Sequence, residues 1–279
     1  MSIISKLGLG IVAFEGTEHI KSITYEIRNE VEHIVVCLQK TSYHGKPIEE
    51  SDIKDVERLK EVGLIDDIIW FEPKSKLTDS PASGRIIETD KRNFILQYLE
   101  DNGCSHSIVI DSDEFYEKED FKRAKNQIEK DDIHVSYCQY INYWKDYTHY
   151  LVWPFACFVP FICESKYRFE FGCKCAEFAI DPTRIIKLND KESYGVFSWN
   201  TIHMHHLSWI RIDIRKKIMS WSAQKYFPKE LLEKVYNKYM NWKEYEYAYI
   251  MFNVPGNKIC VINMGKSYIK PHYMLFDKI

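Results

Sequence analysis

The segment Ser105 to Tyr116, SHSIVIDSDEFY, has the pattern of a short buried strand that ends in acidic residues. Its first part, Ser107 to Ile110, is mostly apolar and β-branched, as in a strand covered on both faces of a sheet. Asp111, Asp113 and Glu114 follow within four residues. Because ligands of open α/β sheets bind beyond the carboxyl ends of the strands, we expect Asp111 and Asp113 to face a ligand crevice. Two such carboxylates can hold one divalent cation that keeps its other positions for water and phosphate oxygens.

Strand and helix patterns alternate along the chain before this segment. We predict strands at 10–14, 33–38 and 68–71, and helices at 17–28, 51–62 and 88–100. The polar stretch 74–84 contains Pro81 and Gly84 and is predicted to be a loop. A β-α-β-α-β-α-β order predicts an α/β fold with a Rossmann-like, mostly parallel central sheet and helices on both faces.

The rest of the chain mixes short strands and helices. Strands are predicted at 133–143, 169–178, 202–209 and 258–263, and helices at 120–129, 214–222 and 228–242. The most apolar run, 151–163, has 13 residues with two prolines and is predicted to be buried. It is shorter than the roughly 20 residues that a membrane span needs, so no transmembrane segment is expected.

The composition narrows the function classes. The chain has 279 residues and a formal charge of −3, so it has no general attraction to nucleic acid or anionic lipid. The charge is uneven, because residues 211–279 contain 13 Lys and Arg against 6 Asp and Glu. This basic, aromatic tail makes nucleic acid a possible partner. None of the eight cysteines forms a CxxC pair, and the chain start has no signal-peptide pattern, so we expect reduced thiols and a cytoplasmic location.

A hydrophobic strand that ends in Asp-x-Asp about 100 residues into an α/β chain resembles the DxD motif of GT-A-fold glycosyltransferases. The sequence from Asp111 to Phe115, DSDEF, is similar to the D-x-D-E-F form of family-2-like and family-17-like members. The resemblance extends roughly from Ile11 to Arg211. It implies a GT-A catalytic domain over 1–210, with a nucleotide-binding half at 1–116 and an acceptor half at 117–210. Residues 211–279 would be a basic, aromatic helical extension packed on that domain.

The histidines of the segment 203–209, HMHHLSW, are the second informative feature. The order His206-x-Ser208-Trp209 resembles the H-x-S-W element with which related enzymes complete a metal site, which implies Asp111, Asp113 and His206 as ligands of Mn²⁺ or Mg²⁺. Imidazole beside carboxylates suits Mn²⁺ better than Mg²⁺. His203 and His205 remain alternatives because the register of the run is ambiguous. A zinc site with Cys173 and Cys175 is a further alternative, although zinc-binding cysteines are usually separated by two to four residues.

The resemblance also implies residues that bind the donor. The basic segment at Lys91, Arg92 and Asn93 would reach the nucleotide, since Arg grips phosphate with two hydrogen bonds. Phe14 and Glu15, at the end of the first strand, would seat the base and the ribose. The motif residues Asp111, Ser112 and Asp113 would also contact the donor.

An inverting reaction needs a carboxylate that deprotonates the acceptor hydroxyl. The candidates are Glu170, Glu177 and Asp181, of which Glu177 is preferred, with Asp181 second. Asp181 has an alternative role in capping the turn at Pro182, and Glu170 has one in pairing with Arg168.

The two resemblances together imply a metal-dependent glycosyltransferase of the hexosyltransferase class. Its donor would be a nucleotide-diphosphate sugar, most simply a UDP-sugar, and its acceptor a glycan or another hydroxyl compound. Two alternatives are a glycosyltransferase that acts on hydroxymethylated DNA bases, and a non-catalytic module of the same fold that binds sugar or nucleotide.

Overall fold

The structure is a computed structural model that describes residues 3–42, 45–74, 82–152, 157–171, 178–189, 192–220, 227–244, 246, 248–249 and 258–263. Within these ranges the strands are β1 (Leu7–Val12), β2 (His33–Gln39), β3 (Asp67–Phe71), β4 (His106–Asp111), β5 (Glu114–Phe115), β6 (Val135–Trp144), β7 (Asp146–Val152), β8 (Cys157–Glu164), β9 (Phe169–Glu170), β10 (Ala179–Ile180), β11 (Ile185–Ile186), β12 (Tyr194–Val196), β13 (His203–Trp209), β14 (Ala248–Tyr249) and β15 (Lys258–Asn263). The α-helices are α1 (Ile20–Ile27), α2 (Glu50–Glu61), α3 (Ala82–Asp101), α4 (Lys118–Asp131), α5 (Ile214–Ser220) and α6 (Lys229–Asn241).

The first four strands form the parallel half of the central sheet, in the order β3-β2-β1-β4. The chain builds outward from β1 to β2 and β3, then returns through α3 to place β4 on the other side of β1. This reversal is a topological switch point, where open α/β sheets bind their ligands. Val12 pairs with Asp111 at the carboxyl ends of β1 and β4. The predicted α/β architecture, with a parallel first half of the central sheet, is therefore confirmed.

The second half of the sheet is mixed, as the sequence predicts. Strand β8 runs antiparallel to β4, and β6 runs antiparallel to β8. Strand β13 lies parallel to β6 and also pairs with the short β5, which opposes His206 to Glu114. Because β5 directly follows Asp113, this pairing brings the histidine segment to the acidic end of β4.

Close packing of α3 on β1 fixes the position of the basic residues that α3 carries. A Cβ atom built on Gly10 would lie 2.0 Å from Cγ2 of Ile95, so the helix rests directly on the strand backbone. Ile95, Leu96 and Leu99 are fully buried in this contact. Lys91 and Arg92 lie one turn before Ile95 and are held at the carboxyl end of the sheet.

Several boundaries differ from the predicted ones. Strand β1 ends at Val12, because the chain then turns through Gly16, whose φ is +77°. Helix α3 begins at Ala82, inside the predicted loop 74–84, of which 75–81 lie outside the described residues. Strand β7 is absent from the sequence prediction, and a turn at Lys145 with φ of +65° separates it from β6.

The segment after residue 210 is more than a helical extension. Helices α5 and α6 are present as predicted, but β15 pairs with β7 and thereby extends the central sheet. An aromatic cluster that includes Trp144, Trp209 and Tyr239 packs α6 against the sheet. No helix in the described ranges combines the length and apolar character that crossing a bilayer requires.

Candidate functional site

A cavity of about 780 Å³ lies at the carboxyl ends of β1 and β4, at the switch point of the sheet. It is lined by residues of the first turn, α2, α3, the end of β4, β13 and α5. Nine of the residues predicted from the sequence line it, namely Phe14, Glu15, Lys91, Arg92, Asp111, Ser112, Asp113, Asp181 and His206. Residues as far apart in sequence as Phe14 and His206 are thus gathered in one place.

Asp111 belongs to a buried ionic network at the end of β4. Its carboxylate accepts hydrogen bonds from Arg92 and Arg184, both at 3.0 Å. Arg184, which is 2% exposed, also donates to both carboxylate oxygens of Glu114, at 2.8 and 2.6 Å. Burial opposes the charged form of Asp111, but Arg92 and Arg184 outweigh burial and lower the pKa of Asp111 to about 2. The network holds the first motif aspartate ionised and fixed in place.

Asp113 has a separate set of cationic partners that come from the C-terminal part of the chain. Its Oδ2 accepts a hydrogen bond from Arg211 at 2.5 Å and lies 3.5 Å from Nζ of Lys217. The Nε2 atom of His206 is 3.7 Å from Oδ1. Burial opposes ionisation of Asp113, but Lys217, Arg211 and His206 together hold its pKa well below its usual range. Asp113 is therefore a carboxylate at any physiological pH.

The alternation of side chains along β13 distinguishes the three histidines. His203 and His205 lie on one face, where His203 stacks on Trp199 and His205 stacks on Phe115, each at 4.7 Å between ring centroids. His205 is fully buried, and its Nδ1 is 2.8 Å from the hydroxyl of Tyr143. His206 lies on the opposite face and lines the cavity. The register that the sequence leaves open is thus resolved in favour of His206 as the histidine nearest Asp113.

The donor atoms for a metal ion are present in part. An oxygen of Asp113 and a nitrogen of His206 are adjacent, and this mixed set suits Mn²⁺. Asp111 is engaged by Arg92 and Arg184 instead. Among the residues that the structure describes, no three His, Cys, Asp or Glu side chains are grouped as a metal site. Metal binding by Asp113 and His206 therefore stays a prediction, in which water and substrate would supply the remaining ligands.

The residues predicted to bind the donor line the cavity, with one exception. Lys91 is 2% exposed, and its Nζ donates to the carbonyl of Ala13 at 3.2 Å, while burial lowers its pKa. Ser112 is buried beside the first turn, where its hydroxyl is 3.5 Å from the carbonyl of Glu15. Asn93 does not line the cavity, because its side chain bonds the backbone N–H and C=O of Phe169 at 2.7 and 2.9 Å. Its role here is to hold β9 against α3.

The candidate bases are placed differently. Asp181 lines the cavity, and its Oδ1 accepts hydrogen bonds from the backbone N–H and hydroxyl of Thr183, as expected of a residue that caps this turn. Burial opposes its ionisation, but Arg184 and Arg92 outweigh burial and lower the pKa of Asp181. Glu170 is exposed, and Arg168 pairs with Glu100 rather than with it. Glu177, like Cys173 and Cys175 of the zinc alternative, lies outside the described residues.

The basic residues of α5 are paired with acids. Arg215 bonds Glu233 at 2.5 Å, and Lys216 lies 3.0 Å from Glu49. Nucleic-acid binding by the basic tail stays a prediction, as does the cytoplasmic location.

Comparison with known proteins gives matches only among solved structures. Neither a protein-family model nor a curated protein matches the chain. The chain is similar to the crystal structure of S. aureus TarS, with 14% sequence identity and a TM-score of 0.40. The matched region covers 85% of this chain and 43% of the TarS chain. A structure of S. aureus TarS 1–349 in complex with UDP-GlcNAc is similar at 14% identity and a TM-score of 0.37. This match covers 85% of this chain and 72% of that structure's chain. The chain spans less than half the length of the first of these proteins.

Several residues of the site are missed by the sequence reasoning, among them Arg184, Asp52 and Thr17. Arg184 lies in a short loop, 73 positions from Asp111 in the sequence. The only sequence signal for its role is its position next to the apolar pair Ile185 and Ile186, which the structure buries. Asp52 and Thr17 carry no signal beyond their positions near helix starts. The structure joins them through a hydrogen bond of 2.9 Å from the hydroxyl of Thr17 to Oδ1 of Asp52. Both residues line the cavity.

Proposed function

We propose that the chain is a glycosyltransferase that transfers a sugar from a nucleotide-diphosphate sugar, with UDP as the nucleotide, to a hydroxyl of a glycan or another acceptor. The observation that carries this proposal is the cavity at the switch point, whose lining residues carry both buried donors and buried acceptors without hydrogen-bond partners. Nε and Nη1 of Arg92 and Nε of Arg211 are such donors. Oε2 of Glu15 and Oδ2 of Asp52 are such acceptors. Since buried polar groups are normally hydrogen-bonded, these atoms suit a ligand that offers both anionic oxygens and hydroxyl or N–H groups.

The cations of the cavity suit a diphosphate leaving group. Arg92 and Arg211 each retain unused N–H groups, and guanidinium binds phosphate oxygens with two parallel hydrogen bonds. Lys217 adds a third positive charge beside Asp113. Cations fixed in a buried site stabilise the charge that develops on a departing diphosphate without having to reorganise.

A divalent cation, Mn²⁺ or Mg²⁺, is part of the proposal. Asp113 and His206 would hold it, with Asp111 contributing through water. When bound, such an ion supplies further neutralisation of the leaving diphosphate. Arg211 and Lys217 contact Asp113 as well, so such an ion would share that carboxylate with two of the protein's own cations.

Removal of the acceptor proton needs a base near the sugar. Asp181 and Glu177 remain the candidates. Asp181 is ionised in the cavity, but its lowered pKa and its hydrogen bonds with Thr183 make it a weak base. Replacement of each by its amide and comparison of kcat, with nucleotide binding as the control, would distinguish them.

The test measures binding and turnover together. We expect UDP and UDP-sugars to raise the melting temperature of the protein, because a ligand that binds the folded state stabilises it. We expect slow hydrolysis of at least one UDP-sugar, and both effects should be larger with Mn²⁺. Absence of any nucleotide effect across UDP, CDP, GDP and ADP would contradict the proposal. Binding without turnover over a broad set of donors and acceptors would instead indicate a non-catalytic module.

The metal is tested with a matched pair of histidines on one strand. His206→Asn should remove the Mn²⁺ enhancement of nucleotide binding, because it deletes the imidazole beside Asp113. His203→Asn changes a histidine on the opposite face of β13 and should keep that enhancement, whatever its cost in stability. An equal Mn²⁺ effect in both variants would assign the metal elsewhere.

A further inference from the structure

The contact between Arg211 and Asp113 joins two parts of the chain that meet at the cavity. Arg211 lies between β13 and α5, and Asp113 directly precedes β5. The two side chains are 5% and 3% exposed, and Nη2 of Arg211 donates to Oδ2 of Asp113 at 2.5 Å. Nζ of Lys217 lies 3.5 Å from the same oxygen, and Nε2 of His206 lies 3.7 Å from the other one. Both carboxylate oxygens therefore have nitrogen atoms of the protein beside them.

These surroundings oppose the binding of a divalent cation at Asp113. A carboxylate attracts a metal ion through its negative charge, and here Arg211 and Lys217 already balance that charge. A cation that bonded Oδ2 would have to replace the guanidinium, and it would be repelled by the positive charge of the guanidinium as it approached. Such binding is thus weak as long as Arg211 stays in contact with Asp113.

Arg211 can leave Asp113 without losing every anionic partner. Its Nη1 already lies 3.5 Å from Oε1 of Glu18, a second carboxylate that it can keep. The next residue, Ile212, is 83% exposed, so the segment that carries Arg211 lies at the surface of the molecule. A change of partner leaves the guanidinium paired, which avoids the cost of an uncompensated buried charge.

The other motif carboxylate, Asp111, is held by a different kind of partner. Arg184 donates to it at 3.0 Å, is 2% exposed and also donates to both oxygens of Glu114. Movement of Arg184 would leave the buried Glu114 without its cation, which is costly. The structure thus combines a fixed ion pair at Asp111 with an exchangeable one at Asp113.

We propose that Arg211 is a built-in competitor of a divalent cation at Asp113. It blocks the cation while it holds the carboxylate, and it releases the carboxylate when the diphosphate of a nucleotide offers it other anionic oxygens. This inference rests on the proposed function and adds a regulatory contact to the same site. Its consequence is that UDP raises the affinity for the cation partly by drawing Arg211 away from Asp113, a coupling that depends on Arg211.

The experiment measures Mn²⁺ binding from the electron paramagnetic resonance signal of the free ion, with and without UDP. Without UDP, Arg211→Gln should bind Mn²⁺ about tenfold or more tightly than the wild type, because the competing charge-assisted hydrogen bond is lost. After correction for Mn²⁺ held by UDP in solution, UDP should raise the affinity of the wild type more than that of Arg211→Gln. Lys216→Gln is the matched control, since it removes a positive charge from α5 whose partners are Glu49 and Asp52, and it should bind Mn²⁺ like the wild type.

Each outcome decides the inference. Equal Mn²⁺ affinity of the wild type and Arg211→Gln without UDP would overturn it, and so would an equal gain in Lys216→Gln, which would indicate a general effect of charge. No Mn²⁺ binding by any of the proteins, with UDP still bound, would overturn it and leave a metal-independent form of the proposed function. No UDP binding by the wild type would remove the proposed function, while the Mn²⁺ affinities without UDP would still show whether Arg211 blocks Asp113.

A second variant repeats the test if Arg211→Gln melts well below the wild type. Gly16→Ala keeps Arg211 in the chain, but a Cβ atom there would lie 2.0 Å from Nη1 of Arg211 and would displace the guanidinium. Gly63 has a similar positive φ, and a Cβ atom there would have nothing within 4 Å. Mn²⁺ affinity that rises in Gly16→Ala and not in Gly63→Ala supports the competition, and unchanged affinity in both overturns it.

Discussion

At the scale of single residues, Arg184 is the centre of the most heavily buried ionic network of the site. It is 2% exposed and contacts Asp111, Glu114 and Asp181. Replacement by Met should lower the free energy of unfolding by about 3–5 kcal/mol, because Glu114 would remain buried without its cation. Urea denaturation measures this loss. Arg215→Met removes an exposed pair with Glu233 and should cost about 1 kcal/mol or less. Equal effects of the two substitutions would contradict the buried network.

The motif aspartates also make stability depend on acid. The pKa of Asp111 is lowered to about 2, and that of Asp113 lies well below its usual range. In the unfolded chain both would have a pKa of about 4. Groups whose pKa is depressed by folding stabilise the protein above the unfolded value and lose that contribution as pH falls through the folded value. We therefore expect the free energy of unfolding to fall steadily from about pH 4 toward pH 2.

The control for this prediction is Asp113→Asn, which removes one of the titrating groups. The variant should be less stable than the wild type at neutral pH, where Arg211 and Lys217 lose their partner. The gap between the two should narrow as pH falls, because the wild type then protonates the same site. Urea denaturation series at pH 5, 4, 3 and 2.5 give both curves. A constant gap over this range would show that Asp113 is not stabilised as an anion.

The sequence could predict the residues that are close to the motif but not their partners. Asp111, Asp113 and the candidate His206 follow from strand pattern and resemblance, and the structure brings all three to one cavity. Arg184 is 73 positions from Asp111, and Arg211 is 98 positions from Asp113. Such pairs depend on the path of the chain between them, and one sequence carries no signal for that path. Asn93 was predicted to bind the donor, and the helix that carries it is present. Its side chain nevertheless bonds the backbone of Phe169 and does not line the cavity.

At the scale of elements, the turn between β1 and α1 and the segment that joins β13 to α5 are locked together. Gly16 has a φ of +77°, and Nη1 of Arg211 donates to its carbonyl oxygen at 3.3 Å. A Cβ atom at this position would lie 2.0 Å from Nη1 of Arg211. Gly16→Ala should therefore displace Arg211 from Asp113 and weaken UDP binding, in addition to the cost of about 1–2 kcal/mol for a side chain with positive φ.

Gly63 provides a matched control for this prediction. Its φ is +76°, and a Cβ atom there would have nothing within 4 Å. Gly63→Ala should thus lose a similar amount of stability for its backbone conformation and keep its UDP affinity. Thermal melting and calorimetric titration of the two variants separate the contributions. Equal loss of UDP affinity in both would mean that the contact with Arg211 has no role in binding.

The elements themselves were predicted unevenly, for physical reasons. Strands β1 to β4 are flanked by amphipathic helices and show long apolar runs, so their order could be read from the sequence. Strand β7 follows β6 after a single turn residue, Lys145 with positive φ, and nothing in the residue type marks that turn. The exact face of His206 became clear only from the pairing of β13 with β5 and β6, because three histidines in four positions fit either register.

At the scale of the whole molecule, the cavity is closed by parts of the chain that are distant in sequence. Glu18 lies 3.5 Å from Arg211, Glu49 lies 3.0 Å from Lys216, and Asp113 lies 3.5 Å from Lys217. Each contact joins the part of the chain before β5 to the segment after β13. The aromatic cluster around Trp144 fixes α6 to the sheet, and α6 packs against α5, which carries both lysines. The C-terminal helices are therefore a structural part of the candidate site.

This arrangement predicts that a bound nucleotide reduces the motion of the two chain segments on either side of the cavity together. Amide hydrogen exchange with UDP should become slower at residues 15–18 and at 211–217 together, because one ligand would contact side chains from both segments. Residues 229–241 of α6 have no contact with the cavity and serve as an internal control with unchanged exchange. Protection of only the first segment would limit the site to the part of the chain before β5 and would remove Arg211 and Lys217 from the proposed diphosphate contacts. Protection that spreads equally over α6 would indicate a general gain in stability rather than a ligand held between the two segments.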